Sequence, residues 1–249
     1  MKLRSLPCLV VSAVLVSAVS ILDPIASSSV AQESSESGTN VSQEKGEPSE
    51  EAQQVENLTL AYNLAEYGRE NEDPQMLIAA AKIVMETPVE FLTRDKTSES
   101  NESAEATTGD KTDEEEMPLS AMELLEEARE FAQSQPEVLA MIDNIEESAE
   151  GSRGRVGGPT RHVDRVRAYT TDIYRIPFRG GRRAAIGVAG DGDTDLDCYV
   201  YDQNGNLVDS TTDYSDTCLL EWYPRWTGNF YLRIKNRGGI YNQYQLLSN

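Results

Sequence analysis

From Asp195 to Tyr201 polar and apolar side chains alternate without a break, with Leu196, Cys198 and Val200 on one parity and Asp195, Asp197, Tyr199 and Tyr201 on the other. Successive side chains of a strand point to opposite faces, so this run reads as a strand with one dry face and one wet face. The same dry parity returns in Cys218, Leu220 and Trp222 and again in Phe230, Leu232 and Ile234. Short runs of this kind continue to the end of the chain, near 171–178, 182–189, 195–202, 206–209, 217–223, 229–235 and 241–247. Asp202-Gln203-Asn204-Gly205-Asn206 supplies the residues a tight hairpin needs, and Pro224 with Thr227-Gly228 marks a later reversal. Many short strands separated by turn signals predict an antiparallel β-sandwich over residues 164–249.

The residues before it read differently. Val55, Leu58, Tyr62 and Ala65 recur at spacings of three and four, one face of a helix. Asp73-Pro74 restarts a helix carrying Leu77, Ala80, Ala81 and Val84. Ser120-Ala121-Met122-Glu123 is a capping box for a third, with Leu124, Leu125, Ala128 and Phe131 inside, and Ser134 to Glu137 opens a fourth with Val138, Met141, Ile142 and Ile145. The fold class is therefore α+β by segregated domains, with four helices in two hairpins over 51–150 followed by the sandwich. The helices are few for a core of their own, so they are expected to pack on the C-terminal domain or on another chain. Residues 32–50 and 95–117 are polar, acidic and aperiodic, and are expected to be disordered, the second as an insertion among the helices. Residues 151–163, Gly-rich and basic, are expected to be a linker.

Charge follows the same division. Of the 249 residues, 32–150 hold 31 acids against 7 bases, whereas 151–249 hold 11 against 13. Such an acidic half argues against nucleic acid, whose phosphates need Lys or Arg. At the start, Met1 to Arg4 is basic and Leu9 to Leu22 is an apolar run of 14 residues broken by serines, short for a membrane span. Ser29-Val30-Ala31 has the small-x-small form of a cleavage site, so residues 1–31 read as a signal peptide, and the mature chain is expected to be secreted or periplasmic with no membrane span and without Cys8.

Three sets of residues carry chemistry. Cys198 and Cys218 share the dry parity and are expected to form a disulfide in an oxidising compartment, the alternative being two buried thiols. Asp191, Asp193, Asp195 and Asp197 stand at alternate positions, and an extended backbone would place them on one side, where calcium is the cation that oxygen ligands alone would suit, with Asp216 as a further ligand. The alternative is that Asp195 and Asp197 accept backbone hydrogen bonds while Asp191 and Asp193 stay in solvent. Tyr199, Tyr201 and Tyr231 fall on the wet parity and are expected to form an aromatic platform, or else ordinary cross-strand pairs. His162 is the one histidine and falls in the expected linker, which leaves no Ser-His-Asp or Cys-His arrangement.

DGDTDLDCYVYDQNGNLV, then Trp222-Tyr223-Pro224, TGNFYLRIKN and YNQYQL resemble, in that order, the bacterial pre-peptidase C-terminal domain, over about 80 residues from Asp172 to Leu247. The resemblance implies a jelly-roll-like sandwich of the kind found on secreted bacterial proteins, often on the C-terminal side of proteases, with relatives that bind calcium or matrix polymers. The chain departs from that pattern in two ways: Cys198 stands where the family has an aliphatic residue, and the upstream residues are too few for a peptidase. The expected function is a non-catalytic exported protein whose sandwich binds a protein or envelope polymer and whose helices serve interaction. The second expectation is a chaperone-like accessory to the folding or export of a partner.

Overall fold

The computed structural model describes residues 38–100, 119–149 and 157–249. The expected signal peptide with Cys8, residues 32–37, most of the expected insertion and residues 151–156 of the expected linker lie outside these. Residues from Ser37 onward form one unit.

Four helices come first: α1 (Glu50–Glu70), α2 (Pro74–Glu86), α3 (Ala121–Phe131) and α4 (Pro136–Ala149). Their starts follow the capping chemistry. The Ser49, Asp73 and Ser120 side chains accept from the amides of Ala52, Gln75 and Glu123, and Pro74 occupies the first helical position. Ten strands follow or intervene: β1 (Glu90–Phe91), β2 (Lys96–Ser100), β3 (Thr160–Val166), β4 (Thr170–Phe178), β5 (Ala184–Ala189), β6 (Leu196–Asp202), β7 (Leu207–Thr211), β8 (Thr217–Trp222), β9 (Gly228–Asn236) and β10 (Asn242–Ser248).

The strands make two five-stranded sheets. The first runs β1-β3-β10-β5-β8 and the second β2-β4-β9-β6-β7. All described strand pairs are antiparallel except β1 with β3. Leaving out the short β1 and β2, consecutive strands other than the β6-β7 pair pass between the sheets so that β3-β10-β5-β8 faces β4-β9-β6-β7, the double Greek key of a jelly roll. Ile176, Val188, Leu196, Val200, Leu220, Phe230, Leu232, Ile234 and Leu246 fill the space between, with Phe178, Trp222 and Phe230 in mutual ring contact.

A second apolar layer lies outside the first sheet. Val55, Leu58 and Ala61 of α1, with buried residues of the other helices, join Ala185, Ala189 and Leu247 in one cluster. The helices therefore pack on the sandwich of their own chain. Strand β5 is consequently buried on both faces, which is why its sequence, AAIGVA, is apolar throughout. Gly187 marks the closest approach: a Cβ there would collide with the Thr59 hydroxyl of α1. Arg183 ties the layers at their margin, donating to Glu56 of α1 at 2.8 Å and to Glu221 of β8.

Three expectations are corrected here. Residues 38–49, expected to lack order, form a strap along one end of the sandwich. Fully buried Asn40 accepts from the Trp226 amide at 3.0 Å, donates to the Trp226 carbonyl at 3.0 Å, and its own amide donates to Asp202 at 2.8 Å. Further along, the Ser42 and Glu47 amides donate to the carbonyls of Tyr223 and Gly181. A polar segment is held here because its hydrogen bonds go to loop backbone that lacks other partners.

Residues 96–100, placed in the expected insertion, are strand β2. Residues 160–163, placed in the linker, begin β3, and His162 with them. The inward positions of these strands are polar apart from Val166 at the end of β3, so neither shows an apolar alternation. Lys96 and Ser98 of β2 meet Asp172, His162 and Asp164 of β3 meet Tyr174, and the Tyr174 and Tyr244 hydroxyls lie 2.5 Å apart. The order is set by charge: the Lys96 ammonium contacts Asp164 at 2.7 Å, Asp172 at 2.8 Å and the Arg165 carbonyl at 2.7 Å. Asp172 is almost wholly buried and also accepts from the Tyr244 hydroxyl at 2.9 Å. Burial disfavours the Asp164 carboxylate, but hydrogen bonds from Lys96 and the Arg165 amide more than reverse this and hold it below its ordinary range. The same burial pushes both tyrosine hydroxyls well above theirs.

Candidate functional site

The sheet β2-β4-β9-β6-β7 has its inner face in the core, while its outer face is not covered by any of the four helices. Strand pairing fixes what that outer face presents. Tyr201 of β6 stands opposite Tyr231 of β9, and Tyr231 opposite Arg175 of β4. One step along, Tyr199 stands opposite Arg233 and Arg233 opposite Ile173. The next step sets Asp197 opposite Lys235. Neighbouring strands lie about 4.8 Å apart, so Tyr201 and Tyr231 are adjacent rings in a strip that crosses the strands and ends on Arg175. Leu207 of β7 continues the strip on the other side of Tyr201. Tyr231 and Leu207 are exposed, Arg175 is exposed, and Tyr199, Tyr201 and Arg233 are half-buried. The Arg233 guanidinium lies 6.0 Å from the centre of the Tyr201 ring and donates to Glu99 at the margin of the sheet. All three tyrosines are therefore outward, as their parity requires.

The cysteines meet as their parity predicts. Cys198 of β6 and Cys218 of β8 are bonded, with both residues fully buried and Cα atoms 6.2 Å apart. Since β6 and β8 belong to different sheets, the bond joins the two halves of the sandwich directly behind Tyr199. Disulfides of this kind persist in oxidising compartments.

The aspartates do not form the expected one-sided row. Only Asp197 lies in a strand, because the chain turns at Gly192, whose φ of 85° is left-handed. Two separate groups result. Asp197 is buried, bonded to Arg237 at 2.7 Å and to the Tyr199 hydroxyl at 3.2 Å. Beside it Asp195 keeps one carboxylate oxygen buried without a partner, and its carboxyl is pushed up by burial and by the Asp197 charge. On the other side of the turn, Asp191 accepts from the amides of Gln243 and Asp193, and Asp193 is exposed. Asp216 accepts from the Gly192 amide at 2.5 Å and from Asn242 at 3.0 Å. Among the described residues no group of three or more His, Cys, Asp or Glu side chains could hold a metal ion.

Asp216 lines a cleft of about 830 Å3 between the helical layer and the end of the first sheet. The helix side carries Glu66 and Glu70 of α1 with Glu123, Glu126, Glu127 and Glu130 of α3, and the sheet side carries Asp191 and Asp216. Arg69, bonded to Glu127 at 2.7 Å, is the cation in its wall. Nothing in the periodicity of the helices marked this cleft, since Glu residues on a wet helix face read as solvation.

Burial lifts the Asp216 carboxyl to about 7, with Asp191 and Glu66 adding to the effect and the Gly192 and Asn242 donors opposing it. The folded state therefore holds this proton more tightly than the unfolded chain, whose aspartates ionise near 3.9. Its contribution to stability is complete below about pH 4 and is lost as pH rises through about 7. Asp216→Asn, which keeps an acceptor for the Gly192 amide, is expected to melt a few degrees above the parent at pH 8.5 and level with it at pH 4. Thermal melts of both proteins across that range check this; parallel curves would show that Asp216 ionises normally.

His162 lies in β3 against the Tyr174 ring, where burial lowers its basicity, although Asp164 opposes this. Its Nδ1 accepts from the Arg94 amide at 3.4 Å. No helix among the described residues is long and apolar enough to cross a membrane.

No family model matches the chain, and no curated protein does. Among solved structures, the pre-peptidase C-terminal domain of a collagenase from Bacillus anthracis matches at 8% identity over 66% of this chain and 96% of that one, with a TM-score of 0.24. The CBM22-1-GH10 modules of the Clostridium thermocellum xylanase 10B, solved with xylohexaose, match at 12% identity over 39% of this chain and 22% of that one, with a TM-score of 0.22.

Proposed function

We propose that this chain is a non-catalytic, exported binding module that docks on an envelope polymer through the open face of its second sheet. The observation that carries the reading is the strip Leu207, Tyr201, Tyr231, Arg175, which strand register holds side by side across the sheet. Tyrosine offers a wide contact at little entropic cost, and sites on strands are held more firmly than sites on loops. The helices cover the opposite sheet, so their role in this reading is to complete the fold and to leave one broad face for a partner. Export is supported by the buried disulfide and by the leader-like sequence of residues 1–31.

The full chain is expected to co-sediment with the insoluble envelope fraction of the cell that makes it. Tyr201→Ala/Tyr231→Ala is expected to weaken that retention at least tenfold, since each ring contact is worth about 0.5–1.5 kcal/mol beyond its area. Unchanged melting of the double variant shows that the fold is intact. Equal retention of parent and variant would move the binding site elsewhere.

A further inference from the structure

We infer that the polymer this face takes is an acidic polysaccharide, one whose sugar rings carry carboxylates as uronates do. The inference rests on the reading of the open sheet face given above and adds the chemical class of the ligand. Two observations carry it: the cations interleaved with the rings, and the distribution of charge over the whole body.

Arg175 ends the ring strip beside Tyr231, and Arg233 stands diagonal to it, over the Tyr201 ring. A guanidinium presents a planar fork that binds a carboxylate by two parallel hydrogen bonds, a geometry that an ammonium does not offer. Arg175 is exposed and pairs with no carboxylate among the described residues. Arg233 donates to Glu99, whose side chain is 60% exposed, and such an exposed, solvent-screened pair contributes little. A ligand carboxylate can therefore take the place of Glu99 at small cost. Lys235 extends the cationic row along β9. A sugar ring seated on Tyr201 or Tyr231 leaves its equatorial edge beside one of these guanidiniums. Because strands repeat at about 4.8 Å, a chain of rings crossing them meets ring-stacking and charge-pairing positions side by side.

The rest of the molecule favours the same ligand by exclusion. The chain carries a net charge of −21, and the helical side of the body opens into a cleft walled by glutamates. A polyanion is repelled from that side and attracted where Arg175, Arg233 and Lys235 cluster, which favours approach onto the second sheet. A protein partner of ordinary composition would gain little from this polarity, and the face lacks a broad apolar centre, Leu207 and half-buried Ile173 being its aliphatic members.

Affinity electrophoresis of the full chain through gels containing polygalacturonate, fully methyl-esterified polygalacturonate or neutral xylan tests this. Polygalacturonate is expected to retard the protein at low salt, the two uncharged polymers to do so at least tenfold less, and 0.5 M NaCl to release it. Arg175→Gln/Arg233→Gln is expected to lose retardation on polygalacturonate, whereas Arg225→Gln, in the loop between β8 and β9, keeps it. If xylan retards the parent as strongly, and the paired arginine variant binds like the parent while Tyr201→Ala/Tyr231→Ala does not, the charge inference fails and the ring platform stands. If polygalacturonate retards none of the proteins, or retards the arginine and tyrosine variants as it does the parent, the inference is overturned, and in the second case the platform falls with it.

Discussion

Lys96→Ala is expected to cost this protein about 3–5 kcal/mol, among the largest effects of any single substitution outside the apolar core. Lys96 lies within 3 Å of both Asp164 and Asp172, and Asp172 is 1% exposed. Removing the ammonium leaves two carboxylates facing each other at the margin of the sandwich, one of them in surroundings that cannot hydrate it. The melting temperature should fall by about 10 °C or more, at about 2–4 °C per kcal/mol for a body of this size. Lys96→Met/Asp172→Asn is expected to recover much of the loss, because removing both partners of a buried pair is far less costly than removing one. A variant within about 1 kcal/mol of the parent in urea titrations would show that the charge cluster does not hold β2 in place.

Loss of the disulfide is the second large effect. Cys198 and Cys218 are 20 residues apart in sequence, and closing a loop of that length constrains the unfolded chain by about 3 kcal/mol. Cys198→Ala/Cys218→Ala should therefore melt roughly 10 °C lower. The effect on the ring platform is indirect. Tyr199 follows Cys198 on β6, so a strand freed from the opposite sheet holds its outward rings less rigidly. Titration of unfolded, unreduced protein is expected to find no reactive thiol from this pair. Two thiols per chain would mean that the sulfurs are reduced, and that the sandwich is held by packing alone.

Where side chains sort by polarity, the sequence made the fold legible. The seven strands from β4 to β10 lie within two residues of their expected positions, and both cysteines face inward because Leu196, Val200, Leu220 and Trp222 fix the parity around them. Two helix starts were equally clear, since Asp73 and Ser120 carry out their capping locally. What the pattern hid depends on partners distant in sequence. Strand β2 is held by Lys96 and Ser98 reaching Asp172, more than seventy residues away, and β3 by Asp164 reaching back to Lys96. Polar residues in such places look like loop until the opposite charge is brought to them. The strap at 38–49 escaped notice for the same reason, as Asn40 bonds to Trp226 and Asp202 across the whole chain.

The candidate site was legible in part. Parity placed Tyr199, Tyr201 and Tyr231 outward, but their pairing with Arg175 and Arg233 needs the β4-β9-β6 order, which alternation does not specify. Alternation misled for the aspartates: Asp191 to Asp197 reads as an extended row, and a single left-handed glycine at 192 divides it between two surroundings. The apolar run at β5 did hold a signal of the helical layer, because Ala184 to Ala189 is dry on both parities and a strand with one wet face would not be.

Hydroxyl-radical footprinting of the full chain, with and without polygalacturonate, tests the central claim most directly. It reads each ring at its own position, and exposed side chains elsewhere serve as internal controls. Oxidation of Tyr201 and Tyr231 is expected to fall several-fold when the polymer is present, while Tyr67, Met122 and Met141 of the helical layer and fully exposed Tyr214 react as before. Protection of Tyr67 or Met122 with Tyr231 unchanged would place the binding surface on the helices and contradict the assignment of the open sheet face.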